Sequence, residues 1–213
     1  MGNPSRKNWE KLTIAVFDIL GEEVLGPDLW VDPAFREVGA QLVPNPYVLD
    51  LGCGNGRLVP VLNKLGISRF VGIDVSEGMI RVARQIYPGK DFRVGNILAL
   101  QEVVGQDLFD GFFAIVSLMH ILRENMPRAA TSIRSVLKTG AIGMITTPCG
   151  RGETLMTADR ADTNGGVIPR GHYMYRALWQ IDDLASYFEK AGFAVCQPSF
   201  QDKTKIDLTV QAV

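Results

Sequence analysis

The decapeptide Val48–Arg57 (VLDLGCGNGR) holds the residue types and spacing best suited to chemistry. Three glycines, Gly52, Gly54 and Gly56, stand at alternate positions after an apolar run, Tyr47 to Leu51, that one acid, Asp50, interrupts. Glycines are needed where a backbone turns sharply and a ligand packs against the main chain with no Cβ in the way. A dinucleotide fingerprint would place Gly or Ala at position 57, where this chain has Arg57. Asp50, two residues before the first glycine, would repel a pyrophosphate but suits a ligand carrying an amino group and a sulfonium. A second acid, Asp74, ends the next apolar run, where a carboxylate can accept both hydroxyls of a ribose. The only two histidines, His120 and His172, are the remaining candidates for proton transfer.

These residues need elements to hold them. Tyr47–Leu51, Arg69–Ile73, Asp91–Val94, Gly111–Leu118 and Ala141–Thr147 read as strands, several apolar throughout, as in a sheet covered on both faces. Arg57-Leu58-Val59 opens a helix. Ser76–Tyr87 reads as another, with Ser76 as its N-cap and Met79, Ile80, Ala83 and Ile86 at helical spacing. Met126–Lys138 reads as a helix with Pro127 in its first turn and Gly140 past its end. Ile181–Ala191 is a last amphipathic helix, and Phe193–Gln197 and Ile206–Ala212 an antiparallel pair. Strands separated by helices predict an α/β, doubly wound, mostly parallel sheet that binds ligands beyond its strands' carboxyl ends. The positions of interest then fall around Gly52, Asp74, Asn96, Ser117 and Thr147. Two stretches fit the alternation poorly: the segment up to about Val43, and Pro148–Arg170, long for a plain connection.

With 213 residues the chain suits one α/β domain, divided here into an N-terminal helical cap (1–43), a core (44–147), a loop or lid (148–176) and a last helix with an antiparallel pair (177–213). A net charge of −1 leaves no electrostatic footprint for a nucleic acid backbone. Cys53, Cys149 and Cys196 are dispersed, which suits a reducing cytoplasm, suggests no zinc site and leaves no metal expected. The start of the chain lacks an apolar signal core, and no apolar stretch approaches the ~20 residues of a membrane span. Cys53 reads as a small filler between glycines, and Cys149 and Cys196 as buried hydrophobes.

VLDLGCGNGR with FVGIDVS, followed by Gly95-Asn96 and later by Ala191-Gly192-Phe193 before a strand, resembles the class I S-adenosylmethionine-dependent methyltransferases over nearly the whole chain. The resemblance implies a seven-stranded Rossmann-like sheet whose last strand is antiparallel, with S-adenosyl-L-methionine as cofactor. Backbone at Gly52, Cys53 and Gly54, within a turn completed by Asn55 and Gly56, would hold the methionine portion, with Asp50 placing the turn and the bound amino group or water. Asp74 would hold the ribose, Val75 and Met79 would pack beside the nucleoside, and Asn96 and Ile97 would meet the adenine. Many members carry Asp where this chain has Asn96, whose oxygen can still accept from the adenine amino group, without a charge. Ser117 would border the methyl donor.

Methyl transfer needs a base only if the nucleophile must lose a proton. His120, close to the expected methyl position, is the candidate; packing on the next helix and bonding to backbone is its alternative. His172, Tyr173 and Arg176, with Tyr175 between them, would line an acceptor pocket from an edge strand or lid. Trp9, Phe17 and Trp30 in the N-terminal segment either wall the pocket or form a helix face. The [D/N/S]PP[Y/F/W] motif of nucleic-acid amino-methyltransferases is replaced after the fourth strand by Ser-Leu-Met-His, and Asn45-Pro46-Tyr47 reads as a loop. The expectation is methyl transfer to O or N of a small molecule. A catalytically silent S-adenosylmethionine-binding or regulatory protein on the same fold is the alternative. An NAD-dependent dehydrogenase is disfavoured by Arg57 and Asp50.

Overall fold

The computed structural model describes residues 4–20, 33–106, 108–157 and 168–213. In chain order they form helices α1 (Trp9–Leu20) and α2 (Pro33–Gln41), strand β1 (Tyr47–Leu51), α3 (Val59–Lys64), β2 (Arg69–Asp74), α4 (Glu77–Ile86), β3 (Asp91–Val94), α5 (Leu100–Val104), β4 (Phe109–Ile115), α6 (Met126–Ser135), β5 (Leu137–Pro148), β6 (Glu153–Met156), β7 (Met174–Ala177), α7 (Ile181–Lys190), β8 (Phe193–Gln201) and β9 (Lys205–Ala212). Seven strands make one sheet in the order β3-β2-β1-β4-β5-β9-β8. β3, β2, β1, β4 and β5 pair in parallel, and β9 runs antiparallel to both neighbours. The doubly wound expectation holds. The antiparallel strand is the last in the chain but lies one place in from the sheet edge, which β8 occupies.

The apolar runs become strands because both faces are covered. On one face Phe35 and Val38 of α2, Val59 to Leu62 of α3 and Ile80 and Ala83 of α4 pack over Val48, Phe113 and Met144. On the other, α5, α6 and α7 pack over Leu49, Leu51, Phe112 and Ile145, with Phe112, Phe188 and Phe193 in mutual ring contact. Each fully buried Leu, Ile or Phe stabilises by about 1.5–3 kcal/mol, so the sheet interior fixes the register.

One expectation needs correction. The helix predicted over Met126–Lys138 ends at Ser135. Val136 and Leu137 are buried, Val136 O accepts from Phe109 N, and Leu137 pairs with Phe109, so sheet pairing takes these residues from the helix. Gly140 (φ 85°) then sits inside the irregular start of β5 rather than past a helix end. The stretch 148–176, expected as a loop or lid, contains a separate two-stranded antiparallel sheet of β6 and β7. Its residues 158–167 lie outside the described set, as does Trp30.

α1 stands at the carboxyl edge of the main sheet. Its Val16 and Leu20 cluster with Met79 of α4 and with Met156, Ile168 and Met174 around the β6–β7 hairpin. Among the described residues no helix is long and apolar enough to cross a membrane.

Candidate functional site

All three glycines of the turn have positive φ: 71° at Gly52, 54° at Gly54 and 84° at Gly56. An L side chain is strained in that region, so the sequence spacing is a backbone requirement. The turn is braced to the end of β2. Gly52 N and Cys53 N both donate to Ile73 O, at 2.7 and 3.0 Å, and Gly54 N donates to Asp74 Oδ2 at 2.9 Å.

The glycines differ in what they face. A Cβ at Gly52 would lie 2.3 Å from Ser117 Cβ, so this glycine lets the end of β4 approach. A Cβ at Gly56 would meet Tyr87 at 2.8 Å and Phe92 at 3.0 Å; that glycine, expected beside the ligand, is closed off by two rings and serves packing. At Gly54 the nearest atom to an added Cβ is Met79 Sδ at 3.9 Å. Gly54 therefore offers the open face of the turn.

Asp50 is 3 % exposed, and its Oδ2 has no hydrogen-bond partner among the described residues. Burial raises its carboxyl to about 7, with the Arg57 charge pulling down and the Asp74 charge pushing up. Arg57 Nη2 donates to Ile115 O at the end of β4. Arg57 thus ties the end of the glycine turn to β4, ahead of the helix that begins at Val59 rather than at Arg57. Ser117 Oγ is likewise buried without a partner. Leaving such an atom unpaired costs about 1–3 kcal/mol, so two of them flanking one turn mark a ligand position. Between β4 and Ser117, Val116 holds φ 55°, an outlier for a β-branched residue. That strain, of order 1–3 kcal/mol, is kept where the chain leaves the sheet beside Gly52.

Asp74 accepts from Gly54 N through Oδ2 and from Ser76 N through Oδ1, each at 2.9 Å. The backbone of Val75 also bonds the carboxylate, so its capacity to accept a further hydroxyl is reduced but not exhausted. Burial pushes its carboxyl above the usual range against those bonds and the Arg57 charge. Val75 beside it is exposed, whereas Met79 is buried under α1. Asn96 is exposed, and its Oδ1 accepts from Leu98 N at 2.9 Å, capping the turn that holds half-buried Ile97. Asn55 is buried within the glycine turn. Cys53 is buried, and burial with the nearby Asp50 and Asp74 charges pushes its thiol well up, which fits an inert filler. Among the described residues no group of three or more His, Cys, Asp or Glu side chains is arranged for a metal ion.

Across the carboxyl edge lies a second set of groups. His120 Nδ1 is 2.8 Å from Tyr175 O, and its ring meets Phe17 edge-on at 5.0 Å. A carbonyl only accepts, so Nδ1 carries a proton in this contact. Tyr175, between the expected acceptor residues, is buried and held by several partners. Its backbone N donates to Thr13 Oγ1 at 2.8 Å, its hydroxyl donates to Glu153 Oε1 at 2.6 Å, and its ring lies 5.5 Å from Trp9. Arg6 bridges Glu153 and Glu124. Arg176 pairs with Thr154 across the hairpin and donates toward Met156 Sδ at 4.0 Å. His172 Nδ1 is 3.3 Å from Arg170 O in the turn before β7, and Tyr173 is half-buried. Thr13, Asp18 and Glu153 went unnoticed in the sequence because nothing local marks them; each works through a partner at least 22 residues away.

Residues 48–140 match the family model of a methyltransferase domain. The chain is 30% identical over 172 residues to the O-methyltransferase cnsE of Penicillium expansum, covering 77% of this chain and 58% of that protein. It is 29% identical over 173 residues to the O-methyltransferase resE of Aspergillus sclerotiorum, covering 76% and 61%. The chain thus spans about three-fifths of the length of these two relatives. The CcbJ methyltransferase of Streptomyces caelestis superposes with a TM-score of 0.69 at 18% identity, covering 94% of this chain and 98% of that one, a likeness of fold.

Proposed function

Because the chain belongs to the class I S-adenosylmethionine-dependent methyltransferase family, we propose that it transfers a methyl group from S-adenosylmethionine to an oxygen of a small-molecule acceptor. The observation that carries the donor half is the pair of buried atoms without a hydrogen-bond partner among the described residues, Asp50 Oδ2 on the strand leading into the glycine turn and Ser117 Oγ packed against Gly52. Asp50 would meet the ammonium group of the donor, and the backbone of Gly52–Gly54 its methionine chain. Asp74 would take the ribose hydroxyls, with Val75, Asn96 and Ile97 along the base. S-adenosylmethionine, when bound, supplies a methyl group already activated by its sulfonium.

What remains for the chain is alignment, exclusion of water and, for a hydroxyl acceptor, removal of a proton. His120 is the base. Its Nδ1–H bond to Tyr175 O fixes the ring, and Nε2 would be the atom that takes the acceptor's proton. Oxygen is favoured over nitrogen because the two relatives above are named O-methyltransferases and because a hydroxyl gives His120 a proton to take. His172, Tyr173 and Arg176 border the acceptor from the hairpin side in this reading. A cytoplasmic setting rests on the sparse cysteines, all three free.

Calorimetry with S-adenosylmethionine, S-adenosylhomocysteine and NAD, followed by a metabolite-pool screen with labelled methyl donor, tests the reading. Donor binding with label on a hydroxyl-bearing product is expected. Binding of NAD alone would overturn it, and donor binding without label in any product would favour a silent binding protein. With an acceptor in hand, His120→Ala should lower kcat about 100-fold at unchanged S-adenosylhomocysteine affinity.

A further inference from the structure

Among the described elements, α1 touches both halves of the site. On the acceptor side Phe17 lies edge-on to His120 and Thr13 accepts from Tyr175 N. Toward its C-terminal end Asp18 reaches the donor side. Asp18 Oδ1 accepts from Ser76 Oγ at 2.6 Å and from Gly78 N at 3.1 Å. Ser76 is fully buried; its Oγ accepts from Met79 N at 3.1 Å while its N donates to Asp74 Oδ1. Asp74 closes the series on Gly54 N. Hydrogen bonds thus run unbroken from the open glycine of the turn through Asp74 and Ser76 to a helix outside the sheet.

Two features separate this arrangement from an incidental surface contact. The first turn of α4 needs acceptors for its N–H groups; Ser76 serves Met79, and Asp18 serves Gly78 from another helix. Gly78 also makes the approach possible, since a Cβ there would lie 2.6 Å from Asp18 O and 2.9 Å from Asp18 Cα. The contact is both hydrogen-bonded and sterically fitted, and it is adjacent in the bond series to the acid proposed to hold the ribose.

We propose that Asp18 is a positioning residue that couples occupancy of the donor site to the seating of α1, and through Phe17 and Thr13 to the placement of His120. Hydroxyls bound at Asp74 fix the Asp74–Ser76 backbone and with it the two groups that Asp18 receives. Linkage makes the coupling reciprocal: the factor by which donor favours the seated helix is the factor by which the seated helix favours donor. The consequence is an order of events, donor first and acceptor second, because the acceptor wall is assembled by the helix the donor seats. This inference rests on the donor reading given above.

The experiment is S-adenosylhomocysteine titration calorimetry together with amide exchange over Trp9–Leu20, with and without S-adenosylhomocysteine, for the unaltered protein, Asp18→Ala, Asp18→Asn and Gly78→Ala. Asp18→Ala is expected to bind about five- to tenfold more weakly and to lose the ligand-dependent slowing of exchange in α1. Asp18→Asn should keep most of both, because its amide oxygen still accepts. Gly78→Ala raises the helix propensity of α4 but pushes Asp18 away, so it should mirror Asp18→Ala, and it decides the matter if Asp18→Ala does not fold. Unaltered affinity with unaltered ligand-dependent protection of α1 in Asp18→Ala and Gly78→Ala would overturn the coupling. An unaltered protein that fails to bind S-adenosylhomocysteine would overturn the donor reading instead.

Discussion

The two sides of the site are built from different materials. The donor side is chiefly a strand, a turn and the end of the next strand, held by backbone bonds and by Asp74, 20 residues from Gly54, with Ser117 packed against it from the end of β4. The acceptor side is assembled from side chains far apart in sequence: Thr13 with Tyr175 across 162 residues, Arg6 with Glu153 across 147 and Glu10 with Asn125 across 115. A site made of local backbone geometry is set as soon as the sheet forms. A site made of long-range side-chain bonds depends on every element that brings them together, and it opens more easily. Donor-side substitutions should therefore cost binding and fold at once, whereas acceptor-side substitutions should loosen one part and leave the sheet alone.

The largest break is expected at Gly52. In Gly52→Ala the backbone strain of φ 71° adds to the 2.3 Å approach to Ser117 Cβ. Together they should destabilise the fold by about 3 kcal/mol and abolish measurable S-adenosylhomocysteine binding. Gly66 is the control: its φ is 73°, yet nothing lies within 4 Å of an added Cβ. Gly66→Ala should cost only about 1 kcal/mol and spare binding, so denaturation midpoints of the pair isolate the contact with Ser117. Equal losses in both would mean the donor turn is no more constrained than a surface turn.

The same contrast explains what could be read from sequence. The donor side was legible because its requirements are written locally: positive-φ glycines, an acid before them and a capped helix after Asp74. Even there, alternate spacing could not show that Gly56 packs under Tyr87 and Phe92 while Gly54 stays open. The main sheet was legible because both faces are buried and its strands are apolar runs. The end of α6 was misjudged because Val136 and Leu137 suit a helix face as well as a sheet, and only pairing with Phe109 decides. Of the β6–β7 hairpin only the β7 stretch was legible, as an edge strand or lid; β6 was missed because a four-residue strand carries too little pattern. Asp18, Thr13 and Glu153 were invisible because a polar residue's partner across the chain leaves no local trace.

Removing Asp74 is the next test. Asp74→Ala takes the acceptor from Gly54 N and Ser76 N and the proposed partner from the ribose. A loss of about 2 kcal/mol or more, roughly 30-fold in affinity, is expected by calorimetry with S-adenosylhomocysteine. Unchanged affinity would remove Asp74 from the donor site and leave it as the cap of α4.

A smaller and reversible test is pH. Burial places Asp50 at about 7, above the value of an unfolded aspartate. An acid raised on folding favours the folded state fully at low pH, and that contribution is lost as pH rises from about 4 through about 7. The ammonium group of a ligand reverses the preference, since it favours the carboxylate. S-adenosylhomocysteine affinity should therefore fall about tenfold as pH drops from 7.5 to 5.5, with proton release on binding in that window. Asp50→Asn should bind weakly at both ends with a flat profile. A flat profile in the unaltered protein would mean that Asp50 does not meet the ammonium group.

The smallest effect on the donor bears most directly on the difference between the two sides. Thr13→Val keeps the volume of a buried α1 residue and removes the acceptor of Tyr175 N. A buried donor left unpaired costs about 1–3 kcal/mol, and the question is which region bears it. β7 belongs to a two-stranded sheet outside the main one, tied down by Thr13, by the Glu153–Arg6 bridge and by His120. The loss should therefore appear as faster amide exchange over Met174–Ala177, with β1 exchange unchanged and S-adenosylhomocysteine affinity reduced no more than about threefold. Equal acceleration in β1 and β7 would show that the hairpin and the sheet open as one unit. The donor and acceptor sides would then differ in how their contacts are spaced along the chain but not in how they hold.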